Sequence, residues 1–137
     1  MYRLDLQCFA PPFRFSLRTM RFYLSQTSAM TLIAESYGAL VGFVITERDV
    51  EIDPAAVYVI TLDVDLNYRR QGIAAALLDA AERQANEDGA RSMWLHVHTQ
   101  NEAAVLFYED RGYRRETRTP NFYGTGVDAF VYVRALG

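Results

Sequence analysis

Two arginines, a glutamine and a glycine stand together in NYRRQGIAAALLDAAERQ (67–84), immediately ahead of an alanine-rich run. The first turn of a helix leaves backbone N–H groups unpaired and carries the positive end of the helix dipole, so it attracts anions, phosphates above all. Gly72 lets the backbone approach such a ligand without a Cβ in the way. Arg69 and Arg70 add positive charge and bidentate donors beside it. The pattern is neither G-x-x-x-x-G-K-[ST] nor G-x-G-x-x-G, so the nucleotide loops those motifs mark are not indicated. Taken alone, an arginine-bearing surface loop ahead of a helix accounts for the stretch slightly better.

A second group with chemical capacity comes from SMWLHVH (92–98). Strand alternation puts Trp94, His96 and His98 on one face and Met93, Leu95 and Val97 on the other. In AVYVITLDV (56–64), the same rule puts Tyr58, Ile60, Leu62 and Val64 on one face. A histidine titrates near neutrality and can take a proton directly or through a water. Read in isolation, His96 is a satisfied half-buried histidine. Tyr108, in VLFYED, is by itself a buried aromatic on an amphipathic helix, and Asn101 a helix cap.

These residues need elements to hold them. FSLRTMRFYLSQ (15–26) has Ser16 as an N-cap and Leu17, Met20, Tyr23 and Leu24 at helical spacing. MTLIAES (30–36) and ALVGFVITE (39–47) read as two strands of a hairpin joined at Gly38. The run 56–64 is too continuously apolar for an edge strand with one wet face. A helix follows from Gly72 to about Asp88, with Ile73, Leu77, Ala81 and Ala85 on one stripe and Gly89 at its stop. Then come the strand 92–98, a short helix over 101–112 with Asn101 as N-cap and Gly112 as its glycine stop, and strands near 113–118 and 127–134 separated by TPNFYGTG. The strand–helix–strand unit over 56–98 predicts a local parallel pair inside a mixed sheet.

Composition bounds the answer. The 137 residues suit one domain, 1–137, with a single core. Half of them are hydrophobic and 23% charged, as in an ordinary folded domain. A net charge of −3 argues against a general nucleic-acid binder. The single cysteine, Cys8, excludes an internal disulfide and fits a reducing compartment; beside Phe9 it reads as a small core residue. No apolar run reaches the roughly 20 residues of a membrane span, and no signal-peptide pattern opens the chain. A cytoplasmic protein without membrane or nucleic-acid partners is expected, with no metal.

Three ordered segments carry a family resemblance. RRQGIA (69–74) fits Q/R-x-x-G-x-G/A, and with VITLDVDLNYRRQGIAAALL before it and WLHVHTQNEAAVLFYEDRGYRR after it, the chain resembles the GNAT superfamily of N-acetyltransferases. The likeness runs from about residue 8 to the C-terminus. It implies an α/β (α+β) fold: a mixed, mostly antiparallel sheet with a central splayed parallel strand pair and flanking helices. The cofactor implied is acetyl-CoA, with coenzyme A as product. Its pyrophosphate would be held beside Arg69 by backbone amides over Arg70, Gln71, Gly72, Ile73, Ala74 and Ala75. Backbone groups at Leu62 and Val64 would meet the pantetheine arm where a bulge opens the strands. Asn101 stands where the family's asparagine contacts that arm, and Tyr108 where its tyrosine protonates the leaving thiolate, a step that makes the thiolate a better leaving group.

The resemblance divides at the base. Bacterial ribosomal-protein alanine N-acetyltransferases, similar in length and layout, have a glutamate where His96 stands. The eukaryotic NatE-type N-terminal acetyltransferases use a tyrosine and a histidine at the positions of Tyr58 and His96, and this likeness gives the pair a catalytic role. The resemblance gives His98 no role, and it reads as a satisfied histidine. CFAPPFRFS (8–16) resembles the family's substrate loop, which implicates Pro11 and Phe13. PNFYGTGVDAFVYV (120–133) resembles the hairpin whose paired tyrosines hold a peptide backbone. Tyr123 matches one of that pair, whereas Phe122 replaces the other and lacks its hydroxyl. The chain begins at or near the first helix without the family's leading strand, so either the sheet is one strand short or the native start lies upstream. The implied reaction is direct transfer of acetyl to a primary amine, the N-terminal α-amine of a protein or peptide being favoured. The alternatives are a small-molecule amine acetyltransferase (polyamine, amino acid or antibiotic) and a non-catalytic acyl-CoA-binding module.

Overall fold

The computed structural model describes residues 29–36, 39–48, 53–69 and 71–137. The expected helix over 15–26, and with it Cys8, Pro11 and Phe13, lies outside the described residues, as does Arg70. The elements run β1 (Ala29–Ser36), β2 (Ala39–Glu47), β3 (Ala56–Val64), α1 (Ile73–Glu87), β4 (Ser92–His98), α2 (Glu102–Asp110), β5 (Arg114–Gly124) and β6 (Val127–Ala135). They form one six-stranded sheet in the order β1-β2-β3-β4-β6-β5. Every neighbouring pair is antiparallel except β3–β4, the parallel pair that the strand–helix–strand unit predicts.

One face of this sheet makes the core. Met93, Leu95 and Val97 are at most 4% exposed, while Trp94, His96 and His98 on the opposite face are only partly covered. Val57 and Val59 join the buried set from β3, and α1 lays Leu77, Leu78, Ala81 and Ala85 onto it. Leu77, Ala81 and Ala85 are the stripe that helical spacing predicts, whereas Ile73 at its head is only partly buried. α1 also buries a carboxylate. Glu82 accepts hydrogen bonds from the Tyr113 hydroxyl (2.9 Å) and from Arg134 Nη1 (2.8 and 3.0 Å), tying the helix to the start of β5 and the end of β6. Its charge is thus paired and hydrogen-bonded, as a buried charge must be.

β5 is longer than the sequence indicates. The segment expected to separate two short strands, TPNFYGTG, is a bulged continuation of β5 as far as Gly124. Asp128 on β6 is the physical reason. Its carboxylate accepts the Asn121 N–H (2.9 Å) and pairs with Arg118 (2.8 Å), while Asn121 Oδ1 accepts the Gly126 N–H (2.7 Å). Asn121 sits at φ +57°, a conformation that asparagine tolerates better than most residues. These bonds also hold the Asp128 carboxyl below the usual carboxylate range.

The other unforeseen constraint is Gly42 on β2, paired with Val64. A Cβ there would stand 3.1 Å from the Asp63 carbonyl oxygen, 3.1 Å from Leu77 Cδ1 and 3.2 Å from Ile73 Cγ2. The bare backbone therefore lets the first turn of α1 lie against the sheet. Gly42→Val should overpack this contact and cost about 1–3 kcal/mol, read as a lower urea midpoint at unchanged slope. An unchanged midpoint would show that α1 is free to move off β2.

Candidate functional site

The parallel pair holds for only three residues a side: Ala56 with Ser92, Val57 with Met93, and Tyr58 with Trp94. Beyond that point β3 and β4 part, although β3 stays paired with β2, and β4 with β6 as far as His98 opposite Ala129. The cause lies in β3. Thr61 pairs with Ile45 and Val59 with Thr46, which leaves Ile60 as an extra residue in the strand. Such a bulge bends its strand and increases the local twist. The result is a wedge flanked by Val59–Val64 on one side and Leu95–His98 on the other. Leu62 and Val64, the expected backbone contacts, line its β3 side.

α1 begins at the wide end of this wedge. Its N-cap, Gly72, is left-handed at φ +79°, and no side chain caps the helix. The first helical bond runs from the Ala76 N–H to the Gly72 carbonyl (2.9 Å), so the amides of Ile73, Ala74 and Ala75 have no partner inside the helix. Among the described residues, a Cβ on Gly72 would meet nothing within 4 Å. The glycine is required by its backbone conformation and opens onto free space at the same point, which suits the approach of a phosphate. Gln71 is exposed beside it. Arg69 turns back instead, its Nε donating to the Val64 carbonyl (3.2 Å) and closing the loop onto the end of β3. These open amides and the parted strands fit the pyrophosphate and the amide-bearing arm of coenzyme A.

Where the strands part, Tyr58 and His96 meet. The Tyr58 hydroxyl lies 2.9 Å from His96 Nδ1. Trp94 packs beside Tyr58, with ring centroids 4.5 Å apart. Burial holds the His96 imidazole below its ordinary 6.5, which favours the neutral ring. Tyr123 donates its hydroxyl to the His96 carbonyl (3.3 Å), and burial pushes that phenol up to about 12. Phe122 lies flat on the imidazole, with centroids 3.7 Å apart and planes 9° from parallel. His98 meets Tyr123 edge-on at 6.1 Å.

Tyr108 comes from α2, and the helix ends set its place. Asn101 caps the start, its Oδ1 accepting the Ala104 N–H (3.1 Å). At the other end Gly112, at φ +89°, allows the N–H of Tyr113 to reach the Tyr108 carbonyl (3.0 Å) and its own N–H to reach that of Glu109 (3.1 Å). This paired closure brings the residue after the glycine against the third-last helical residue. Those residues are Tyr113 and Tyr108, whose rings meet at 5.5 Å. Burial raises the Tyr108 phenol well above the ordinary 10.0, and the Tyr123 phenol, the Asp63 carboxylate and the Tyr58 phenol push the same way.

Sequence reasoning passed over two members of this group. Asp63 is 1% exposed and its Oδ1 accepts the Thr61 hydroxyl, yet it reads in the chain as one acid in a strand. Phe122 reads only as a tyrosine that has lost its hydroxyl. No local pattern places it on His96, because the bulge that aims it depends on Asp128, beyond the turn. A separate hollow lined by Asp79, Glu82, Arg83, Arg111 and Arg134 shares no residue with this site, and Asp79–Arg111 and Glu82–Arg134 are ion pairs.

The arrangement can be set beside known proteins. The acetyltransferase (GNAT) family profile matches residues 1–113. N-alpha-acetyltransferase 30 of Schizosaccharomyces pombe is 32% identical over 120 residues, 87% of this chain and 80% of that protein. The ribosomal protein bS18 alanine N-acetyltransferase of Escherichia coli is 35% identical over 88 residues, 64% of this chain and 57% of that protein. Its crystal structure superposes with a TM-score of 0.87 and 24% identity, covering 99% of this chain and 85% of the other. An aminoglycoside 6'-N-acetyltransferase complexed with coenzyme A shares the fold alone, with a TM-score of 0.71 at 16% identity over 84% of this chain and 76% of that one. The mixed sheet with its parted parallel pair bears out the fold that the motifs imply. The chain belongs to the GNAT family of acetyltransferases, enzymes that draw their acetyl group from acetyl-CoA.

Proposed function

We propose that the protein acetylates the α-amine of a protein or peptide N-terminus by direct attack, with Tyr58 and His96 taking the proton and Tyr108 giving one. The observation that carries this reading is the 2.9 Å contact between the Tyr58 hydroxyl and His96 Nδ1 where β3 and β4 part. Two relatives at or above 32% identity bear names of N-terminal acetyltransferases, which supports the choice of acceptor.

Acetyl-CoA supplies an activated thioester. The amides of Ile73, Ala74 and Ala75 bind its pyrophosphate, while backbone groups along Leu62 and Val64 and the Asn101 side chain guide the pantetheine arm. An ammonium has no lone pair, so the acceptor must lose a proton. That proton passes to the Tyr58 oxygen as the Tyr58 hydroxyl proton moves to His96 Nδ1. The positive charge then rests on the imidazole and the phenol is restored. His96 must be neutral and unprotonated at Nδ1 for this, and its burial favours the neutral form. The neutral amine would then attack the thioester carbon, forming the C–N bond. As the C–S bond breaks, Tyr108 would give its hydroxyl proton to the sulfur and regain one, through solvent, from the nitrogen that becomes the amide. By the family resemblance alone, Pro11 and Phe13, which lie outside the described residues, are candidate substrate contacts with Tyr123.

The test is release of free coenzyme A against an N-terminal peptide library, run beside polyamines, amino acids and aminoglycosides. Turnover with a subset of peptides, at least tenfold above any small amine, is expected. Turnover with small amines alone would overturn the peptide reading. Acetyl-CoA binding with no release from any amine would leave an acyl-CoA-binding module.

Tyr108→Phe keeps the ring's packing and removes only the hydroxyl. Turnover should fall by about 10²–10⁴-fold, the usual worth of a general acid, while acetyl-CoA affinity by calorimetry stays as in the wild type. Because the wild-type phenol stays protonated beyond its ordinary 10.0, no basic limb from Tyr108 should appear in the pH–rate profile below that value. Full activity in Tyr108→Phe would mean that the thiolate leaves unaided.

A further inference from the structure

Phe122 is 41% exposed, one of the few large apolar side chains that the described surface leaves open. It is nonetheless held in place. The bulge at Asn121, fastened by Asp128 and Gly126, sets its backbone, and Tyr123 meets its ring edge-on at 4.9 Å. The two neighbours bracket His96, Phe122 on the imidazole and the Tyr123 hydroxyl on the carbonyl. Tyr58 and Trp94 approach the imidazole at steep angles, 70° and 60°, and Phe122 alone among the described rings lies nearly parallel to it.

We propose that Phe122 is a positioning residue for His96: its ring fixes the imidazole plane in which Nδ1 meets the Tyr58 hydroxyl and keeps water off one face of that ring. The kinetic part of this proposal rests on His96 being the proton acceptor, whereas the shielding stands by itself. Two physical steps carry it. The imidazole torsion is broad and roughly two-fold, so the flat stack of Phe122 on the ring selects among planes that the torsion itself leaves open. The hydroxyl of Tyr58 then decides which ring edge faces it. In addition, each face removed from water disfavours the imidazolium.

The groups around His96 leave shielding as the larger effect. It meets Tyr58 from β3, Trp94 beside it in β4, Phe122 and Tyr123 from β5, and Val131 across the ladder from β6. His98, not His96, is the histidine whose charge bears on the Asp128 carboxyl of β6. A ring face also attracts a cation, which would favour the imidazolium. Burial is nevertheless the cause that governs His96, and it acts the other way.

The chain has only two histidines, so an NMR titration of the imidazole protons in the tag-free protein resolves both, with His98→Gln assigning them. His96 should titrate below 6.5 in the wild type. In Phe122→Ala its midpoint should rise toward that value, and in Phe122→Tyr, which restores the ring face, it should return to the wild-type position. The acidic limb of kcat/KM, measured on the best peptide, should move to higher pH with it. A His96 midpoint unchanged in Phe122→Ala overturns the proposal. So does a lower one, the sign of a ring–cation attraction, and so does a limb that moves while the midpoint does not. If the midpoint rises in Phe122→Ala and the limb stays, the shielding stands and His96 as proton acceptor fails.

Discussion

Everything at this site depends on two parallel strands ceasing to pair. β3 and β4 share a ladder only as far as Tyr58 and Trp94, and the extra residue Ile60 turns β3 away from there. Backbone N–H and C=O groups on facing strand edges are costly to leave unpaired unless water or a ligand meets them. The fold accepts that cost because the strands' outer sides stay laddered, β3 to β2 apart from the bulge at Ile60, and β4 to β6. α1 then closes one face of the sheet, and the glycine at Gly42 allows it to sit close enough to bring its open N-terminus to the wedge.

Burial does two opposite jobs for chemistry within this wedge. It lowers the imidazole of His96, a base that is charged when protonated, and it raises the phenol of Tyr108, an acid that is charged when deprotonated. Both groups are held in their neutral forms. A neutral base and a neutral acid are what transfer from a thioester to an amine requires: one can take a proton and the other can give one. The same desolvation keeps Tyr123 a hydrogen-bond donor to the His96 backbone, with its phenol pushed up to about 12.

Local pattern reveals much of this, and long-range pairing reveals the rest. The strands 39–47 and 56–64 are readable from apolar, β-rich runs, the strand 92–98 from alternation, and the helix ends from Asn101, Gly89 and Gly112, because these signals act within a few residues. Alternation alone sorts His96 with Trp94 and His98 and puts Tyr58 on one face of its own strand, and the family resemblance points to their pairing. What stays hidden depends on residues distant in the chain. Gly42 looks like an ordinary strand glycine until α1 packs on it. The length of β5 and the aim of Phe122 follow from Asp128, whose carboxylate reaches back to Asn121. Arg69 reads as a phosphate ligand in sequence, and its bond to the Val64 carbonyl appears only in the fold.

The central claim is that Tyr58 and His96 act as one proton-accepting unit, and single-turnover rate against pH tests it most directly. The measurement compares wild type, His96→Ala, Tyr58→Phe and the double variant with one good peptide substrate. His96→Ala should lose most where the peptide amine is still protonated, within the about 10²–10⁴-fold usual for a general base. The loss should shrink as pH rises toward the α-amine's own pKa of roughly 7.7–8.0, since the substrate then arrives neutral. The double variant should lose less than the product of the single losses, as partners in one relay do. A small, pH-independent loss in His96→Ala, with the two substitutions multiplying, would contradict the account and leave His96 a packing residue.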